Sequence, residues 1–237
     1  MTLLDPKKHN GTIYLSGGME KAVELGGAWR ASLSINLINM GFIPFDITEL
    51  DRAYGLTMSD PLLSEEAQNE LPLKSIMRKH FIEADLDLIR NDTDAVVLLY
   101  DESVRRGAGS HSEAQCAYEN DIPLFVVNTY DKVIGEVPKW LIGLSTKVFN
   151  NFDELNTYLA QLPQGILRRD VYGNHSSGNH YLCSMCGDVF AKSNSHFVSK
   201  ISPLYCKSCI DLVVHTNEGM ANRYEFFKKY LNEKFGV

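Results

Sequence analysis

The chain has 237 residues, of which 44% are hydrophobic and 22% charged, a globular composition that excludes wholesale disorder. Its formal net charge is −7, and residues 1–162 hold 14 Lys and Arg against 24 Asp and Glu. Nucleic-acid binding over a broad face needs cationic contacts to phosphates, so an acidic body of this kind argues against it while leaving room for a small nucleotide.

No apolar run approaches the roughly 18 residues of a membrane span. Met1 to Asn10 is polar, with no apolar segment behind Lys7 and Lys8, so no secretory leader is predicted and a reducing cytoplasm is expected.

In chain order, Thr12–Ser16 predicts a buried first strand, closed by a tight turn at Gly17-Gly18. A helix is predicted from about Gly26 to Met40, where Trp29, Leu33, Leu37 and Met40 recur at helical spacing before Gly41. Phe42–Phe45 reads as a second strand ending at Asp46. Residues 47–73 are punctuated by Tyr54-Gly55, Ser59-Asp60-Pro61 and Leu71-Pro72, lack clear periodicity, and suit a lid or binding insertion. Ile76–Arg90 is again helical, and Asp94–Tyr100 is the clearest buried strand. A Gly-rich loop over Arg106–Ser110 leads to a helix from about Ser112 to Glu119, a strand over Pro123–Val127 and a last helix near Asp153–Gln161.

Strands alternating with helices predict an α/β fold with a doubly wound, mainly parallel sheet. Ligands then bind at the carboxyl ends of the strands, here Ser16-Gly17-Gly18, Asp46, Asp101 to Ser112, and Asn128. The α/β domain is assigned to residues 1–162. Residues 163–180 are polar and read as a linker. A small C-terminal zinc-binding module occupies 181–237 and ends in a helix from about Asn217 to Phe235.

The module rests on Cys183-x2-Cys186 and Cys206-x2-Cys209, two CxxC pairs separated by nineteen residues. This spacing suits one tetrahedral zinc ion held by four thiolates, with Gly187 helping the first knuckle turn. Such a closed shell is structural rather than catalytic. His180, His196 and His215 are expected at the surface, and Lys192, Lys200 and Lys207 suit either a nucleic-acid contact or an ordinary solvated face. No organic cofactor is implied.

Glu113 opens the helix after the Gly-rich loop. Two readings stand for it: a carboxylate complementing the helix dipole, or a pocket-facing group beside backbone amides that glycines let a ligand approach.

Four blocks bear on the choice: Ile13-Tyr-Leu-Ser-Gly-Gly18; Trp29-Arg30 leading to Gly41-Phe42 and Asp46; Ala84-Asp85-Leu86 with Ile89 ahead of Asp94-Ala-Val-Val; and Gly109-Ser110-x-x-Glu113 with Ala117, leading to Pro123. Through them, residues 11–160 resemble the nucleoside 2-deoxyribosyltransferase-like superfamily, which includes nucleoside 5′-monophosphate N-glycosidases. The four-cysteine module is an addition to that pattern. Gly107, where several members are acidic, and His111 depart from it.

The resemblance implies a Rossmann- or flavodoxin-like fold, a nucleoside or nucleotide substrate and a homo-oligomer. It also implies Glu113 as nucleophile, with Asp85 orienting the sugar or protonating the departing base. Ser16, Gly17, Gly18, Asp46, Gly107, Gly109 and Ser110 would contact the substrate. A non-catalytic nucleotide sensor and a zinc-ribbon binding factor are the alternatives. Cys116 is expected as a small buried apolar residue. Arg30 is expected to cover its helix, Arg105 and Arg106 to be solvated, and at least one of Asp85 and Asp87 to face water.

Overall fold

The computed structural model describes residues 9–20, 22–55, 71–129, 137–169, 174–191, 205–217, 228–229 and 232–233. Five parallel strands form the main sheet: β1 (Thr12–Ser16), β2 (Ile43–Phe45), β3 (Ala95–Tyr100), β4 (Leu124–Asn128) and β5 (Lys147–Phe149). Their order is β2-β1-β3-β4-β5. The chain moves outward from β1 in one direction and then in the other, so the switch point lies between β1 and β3.

Helices cover both faces. They are α1 (Gly27–Asn39), α2 (Ile47–Tyr54), α3 (Leu71–Ile76), α4 (Glu83–Asp92), α5 (Glu102–Arg106), α6 (Gly109–Glu119), α7 (Lys139–Leu144) and α8 (Phe152–Gln161). Pro72 sits in the first turn of α3, where its missing N–H costs no helical bond. A π-helical turn, Met77–Ile82, joins α3 to α4, so the helix predicted for Ile76–Arg90 runs from Leu71 to Asp92. The expected insertion over residues 47–73 holds α2 and the start of α3; residues 56–70 of it lie outside the described residues.

The period of two along each strand divides the core. Ile13, Leu15, Val97 and Phe125 face one side, where Leu33 and Leu37 of α1 and Leu155 and Leu159 of α8 meet them. Tyr14, Val96, Leu98 and Val126 face the other, against Ile89 of α4 and Ala114 and Ala117 of α6. Every residue of β3 is buried, as its unbroken apolar run requires for a strand covered on both faces.

The polar segment expected as a linker contributes to this core. Ile166 and Leu167 are buried in the cluster of α1 and α8, and Leu182 joins them. His175 is buried, with Nδ1 2.6 Å from the Leu167 carbonyl and Nε2 3.3 Å from that of Asp121.

Beyond it lies a small antiparallel sheet of β6 (Ser176–Ser177), β7 (His180–Leu182) and β8 (Val189–Ala191). The helix α9 (Lys207–Asn217) begins directly after Cys206. The expected Asn217–Phe235 helix lies mostly outside the described residues; Lys228, Lys229, Asn232 and Glu233 are helical. Among the described residues no helix is long and apolar enough to cross a membrane.

The small sheet is fastened to α8. Tyr158 Oη donates to the Gly187 carbonyl at 2.6 Å, and Lys147 of β5 reaches Asp188 at 3.4 Å. Gly187 has φ +74, and a Cβ there would stand 2.9 Å from the Tyr158 hydroxyl. Tyr158→Phe removes the donor and leaves a carbonyl unpaired. The expected cost is about 1 kcal/mol, read in thermal unfolding as a fall in Tm of about 2–4 °C.

Candidate active site and cysteine cluster

Tyr14 and Ser16 lie two residues apart on β1 and so point to the same face of the sheet. Glu113, in the first half of α6, extends toward them. Tyr14 Oη donates to Glu113 Oε1 at 3.0 Å, and Ser16 Oγ donates to Oε2 at 2.5 Å. Both carboxylate oxygens are therefore fixed, at the carboxyl end of β1 beside the switch point, by residues 97 and 99 positions away. The side chain makes no ion pair among the described residues. Burial raises its pKa above the ordinary carboxylate value, and the bonds from Ser16 and Tyr14 and the Arg30 charge pull it back.

Arg30 does not cover the surface of α1, as its sequence position suggested; it is fully buried. Its guanidinium donates to the carbonyls of Leu15 at 3.1 Å, Gly26 at 3.0 Å and Gly17 at 2.8 Å. It thus ties the loop after β1 to the start of α1, and places a positive charge behind Tyr14 and Glu113. Trp29 stacks on the guanidinium at 4.6 Å. Gly17 and Gly18 are held by close approach: a Cβ on Gly17 would stand 2.7 Å from the Trp29 ring, and one on Gly18 would collide with Ser103. Ser103 itself is fixed by Asp101, which caps α5 by accepting from Ser103 N at 2.9 Å and Val104 N at 3.1 Å.

Asp85, on α4, is partly buried near Glu113. Burial raises its pKa to about 8, and the charges of Glu113 and Asp51 add to the effect while Arg30 opposes it. Asp87, two residues on, is exposed and pairs with Arg90 at 3.1 Å.

Asp46 is the N-cap of α2, where Oδ1 accepts from Thr48 N at 3.0 Å and Thr48 Oγ1 at 2.6 Å. Ser110 is buried in the first turn of α6, whereas Gly107 and Gly109 are exposed. Gly107 borders a groove between α4 and α6 that runs past Arg90, His111 and Cys116; Glu113 does not line it. Cys116 is buried, with its thiol directed at the Leu86 carbonyl, and burial raises its pKa. Arg105 and Arg106 are about half exposed and pair with Glu102.

Two residues of this site were missed in the sequence. Tyr14 was read only as part of an apolar strand; its signal is the alternation that puts its hydroxyl in line with Ser16. Asp51 lay in a stretch without clear periodicity.

No family model matches the chain, and no curated protein matches it. Among solved structures, it matches a 2-deoxyribosyltransferase from the psychrotolerant bacterium Bacillus psychrosaccharolyticus. The TM-score is 0.44 and the sequence identity 12%, over 66% of this chain and 95% of that one.

At the other end of the molecule, the sulfurs of Cys183, Cys186, Cys206 and Cys209 lie within 4.8 Å of one another. Cys186 and Cys206 are 3.9 Å apart. Ligands about 2.3 Å from a tetrahedral ion stand about 3.8 Å from each other, so the cluster fits a metal, whereas a disulfide needs about 2.05 Å. Gly187 N donates to the Cys183 carbonyl at 2.9 Å and closes the first knuckle. Cys209 lies in the first turn of α9, whose amino end favours thiolate charge. Cys206 N donates to Cys183 Sγ at 3.3 Å and joins the two knuckles.

Proposed function

We propose that the protein cleaves or transfers the N-glycosidic bond of a nucleoside or nucleotide, with Glu113 as nucleophile. The observation that carries this reading is the Glu113 carboxylate, held on both oxygens by Tyr14 and Ser16 at the switch point of a parallel sheet. The Gly109-Ser110-x-x-Glu113 pattern supports the same assignment.

In the first step Glu113 attacks C1′ of the sugar. A carboxylate–sugar ester forms as the C1′–N bond breaks, through an oxocarbenium-like state that the carboxylate stabilises. Asp85, protonated at neutral pH, gives its proton to the departing base. Water or a second base then attacks C1′ and releases Glu113. The four thiolates hold a structural metal, and zinc suits their number and spacing.

The test is incubation with deoxynucleosides and deoxynucleoside 5′-monophosphates, with released base read by chromatography. No release or exchange from any of them would remove the reading. A second expectation concerns pH. An acid with pKa about 8 is protonated below that value and loses its proton above it. Base release therefore falls about tenfold per pH unit above about 8. Asp85→Asn lowers the rate and abolishes this limb, measured as the pH profile of kcat. A wild-type profile flat to high pH would show that Asp85 is not the acid.

A further inference from the structure

Asp51 is only 9% exposed, and its Oδ2 is buried with no hydrogen-bond partner among the described residues. A buried carboxyl oxygen left unpaired is costly, and a bound water, ion or ligand is one of the ways in which such a group is satisfied. Arg30, whose charge acts on Asp51, has its guanidinium engaged with the carbonyls of Leu15, Gly17 and Gly26.

The position of Asp51 indicates what reaches it. Ile47 and Asp51 are one turn apart on α2 and share a face. Ile47 packs in the same cluster as Tyr14, whose hydroxyl holds Glu113. Asp51 is also near enough to Asp85 for their charges to oppose each other. Asp51 therefore lies on the helix face that packs beside Tyr14 and Glu113, and it carries an acceptor that no described residue satisfies.

We propose that Asp51 Oδ2 accepts a hydrogen bond from an exocyclic amino group of the substrate base, so that amino-bearing bases are preferred over their des-amino counterparts. This rests on the glycosidic reading of the same site. Burial raises the pKa of Asp51 to about 6, with Arg30 opposing, so the group is ionised and acceptor-only at pH 7 and above.

The experiment compares two matched pairs, deoxyguanosine with deoxyinosine and deoxyadenosine with purine deoxyriboside. Each pair differs by one amino group. Dissociation constants are measured by calorimetry and base release by chromatography, for the wild type, Asp51→Asn and Asp51→Ala. In the wild type the amino-bearing member of at least one pair is expected to bind about 10- to 100-fold more tightly. Asp51→Ala brings that ratio close to one, and Asp51→Asn, which keeps an acceptor oxygen, retains part of it. Thermal unfolding verifies that both variants fold.

A ratio unchanged in Asp51→Ala, or no preference in either wild-type pair, overturns the proposal. Preferential binding lost in Asp51→Ala but without base release overturns the glycosidic reading and keeps Asp51 as the recognition residue. No binding of any of the four nucleosides overturns both.

Discussion

Glu113→Gln is expected to lower base release by about 10³-fold or more while leaving the fold intact. The side chains have the same shape, and the amide oxygen still accepts from one of the two hydroxyls that hold the carboxylate. What is lost is the negative charge, and with it both nucleophilic attack and stabilisation of the positive sugar carbon. The stability expectation follows from the same surroundings. Burial opposes the ionised form of Glu113, and only hydrogen bonds and the distant Arg30 charge compensate. A neutral amide relieves that opposition, so Tm should stay level or rise. Chromatographic assay at saturating nucleoside and a thermal melt together decide the matter. Activity within tenfold of wild type would assign the chemistry elsewhere, and loss of activity with a collapsed Tm would reduce Glu113 to a structural role. Tyr14→Phe should act in the same direction but less strongly, since Ser16 still holds the other oxygen.

Metal removal is expected to have the second large effect, and to be felt beyond the cysteines. The four sulfurs converge within 4.8 Å, and thiolates without an ion at that range repel one another. When the first knuckle opens, the carbonyl of Gly187 leaves Tyr158, Asp188 leaves Lys147, and Leu182 is drawn from a core it shares with α1 and α8. Loss of a buried leucine contributes about 2–3 kcal/mol and the hydrogen bond about 1 kcal/mol. Calorimetry should then show Tm lowered by on the order of 10 °C after chelation, and recovered when zinc is restored. Cys183→Ser should imitate chelation without being rescued by zinc. The measurement that checks the assignment is metal content: protein purified without zinc, with a melting curve indifferent to chelator, would remove it.

The central strands could be read from the sequence because they are buried on both faces. Asp94–Tyr100 and Pro123–Val127 are apolar runs bounded by turn residues, and a parallel sheet demands that pattern. The edge strand β5 could not be read in this way: it has three residues, begins with a lysine and exposes Val148. Helix α5 was hidden for another reason: it has only five residues, with Asp101 as its cap. The loop expected at residues 106–110 is shorter than predicted, because Arg106 ends α5 and α6 already begins at Gly109. In the polar stretch after α8, composition masked Ile166 and Leu167, two apolar residues among Gly, Arg and Asn; burial of a pair so placed is decided by tertiary packing. For the site, the pattern around Glu113 singled out the carboxylate, but its hydroxyl partners lie nearly a hundred residues earlier. Nothing local in the sequence announces that Tyr14 and Ser16 meet it.

Tyr158, Leu182 and the Ile166–Leu167 pair have a practical consequence for anyone dividing this chain. A fragment ended at residue 162 would keep all five parallel strands and every carboxylate of the candidate active site. It would also strip the plug from one side of its own interior and show a greasy wound to water. Such a fragment should clump or need a solubilising mate, whatever its chemistry. The cysteine-bearing segment is in that sense a cork rather than a pendant.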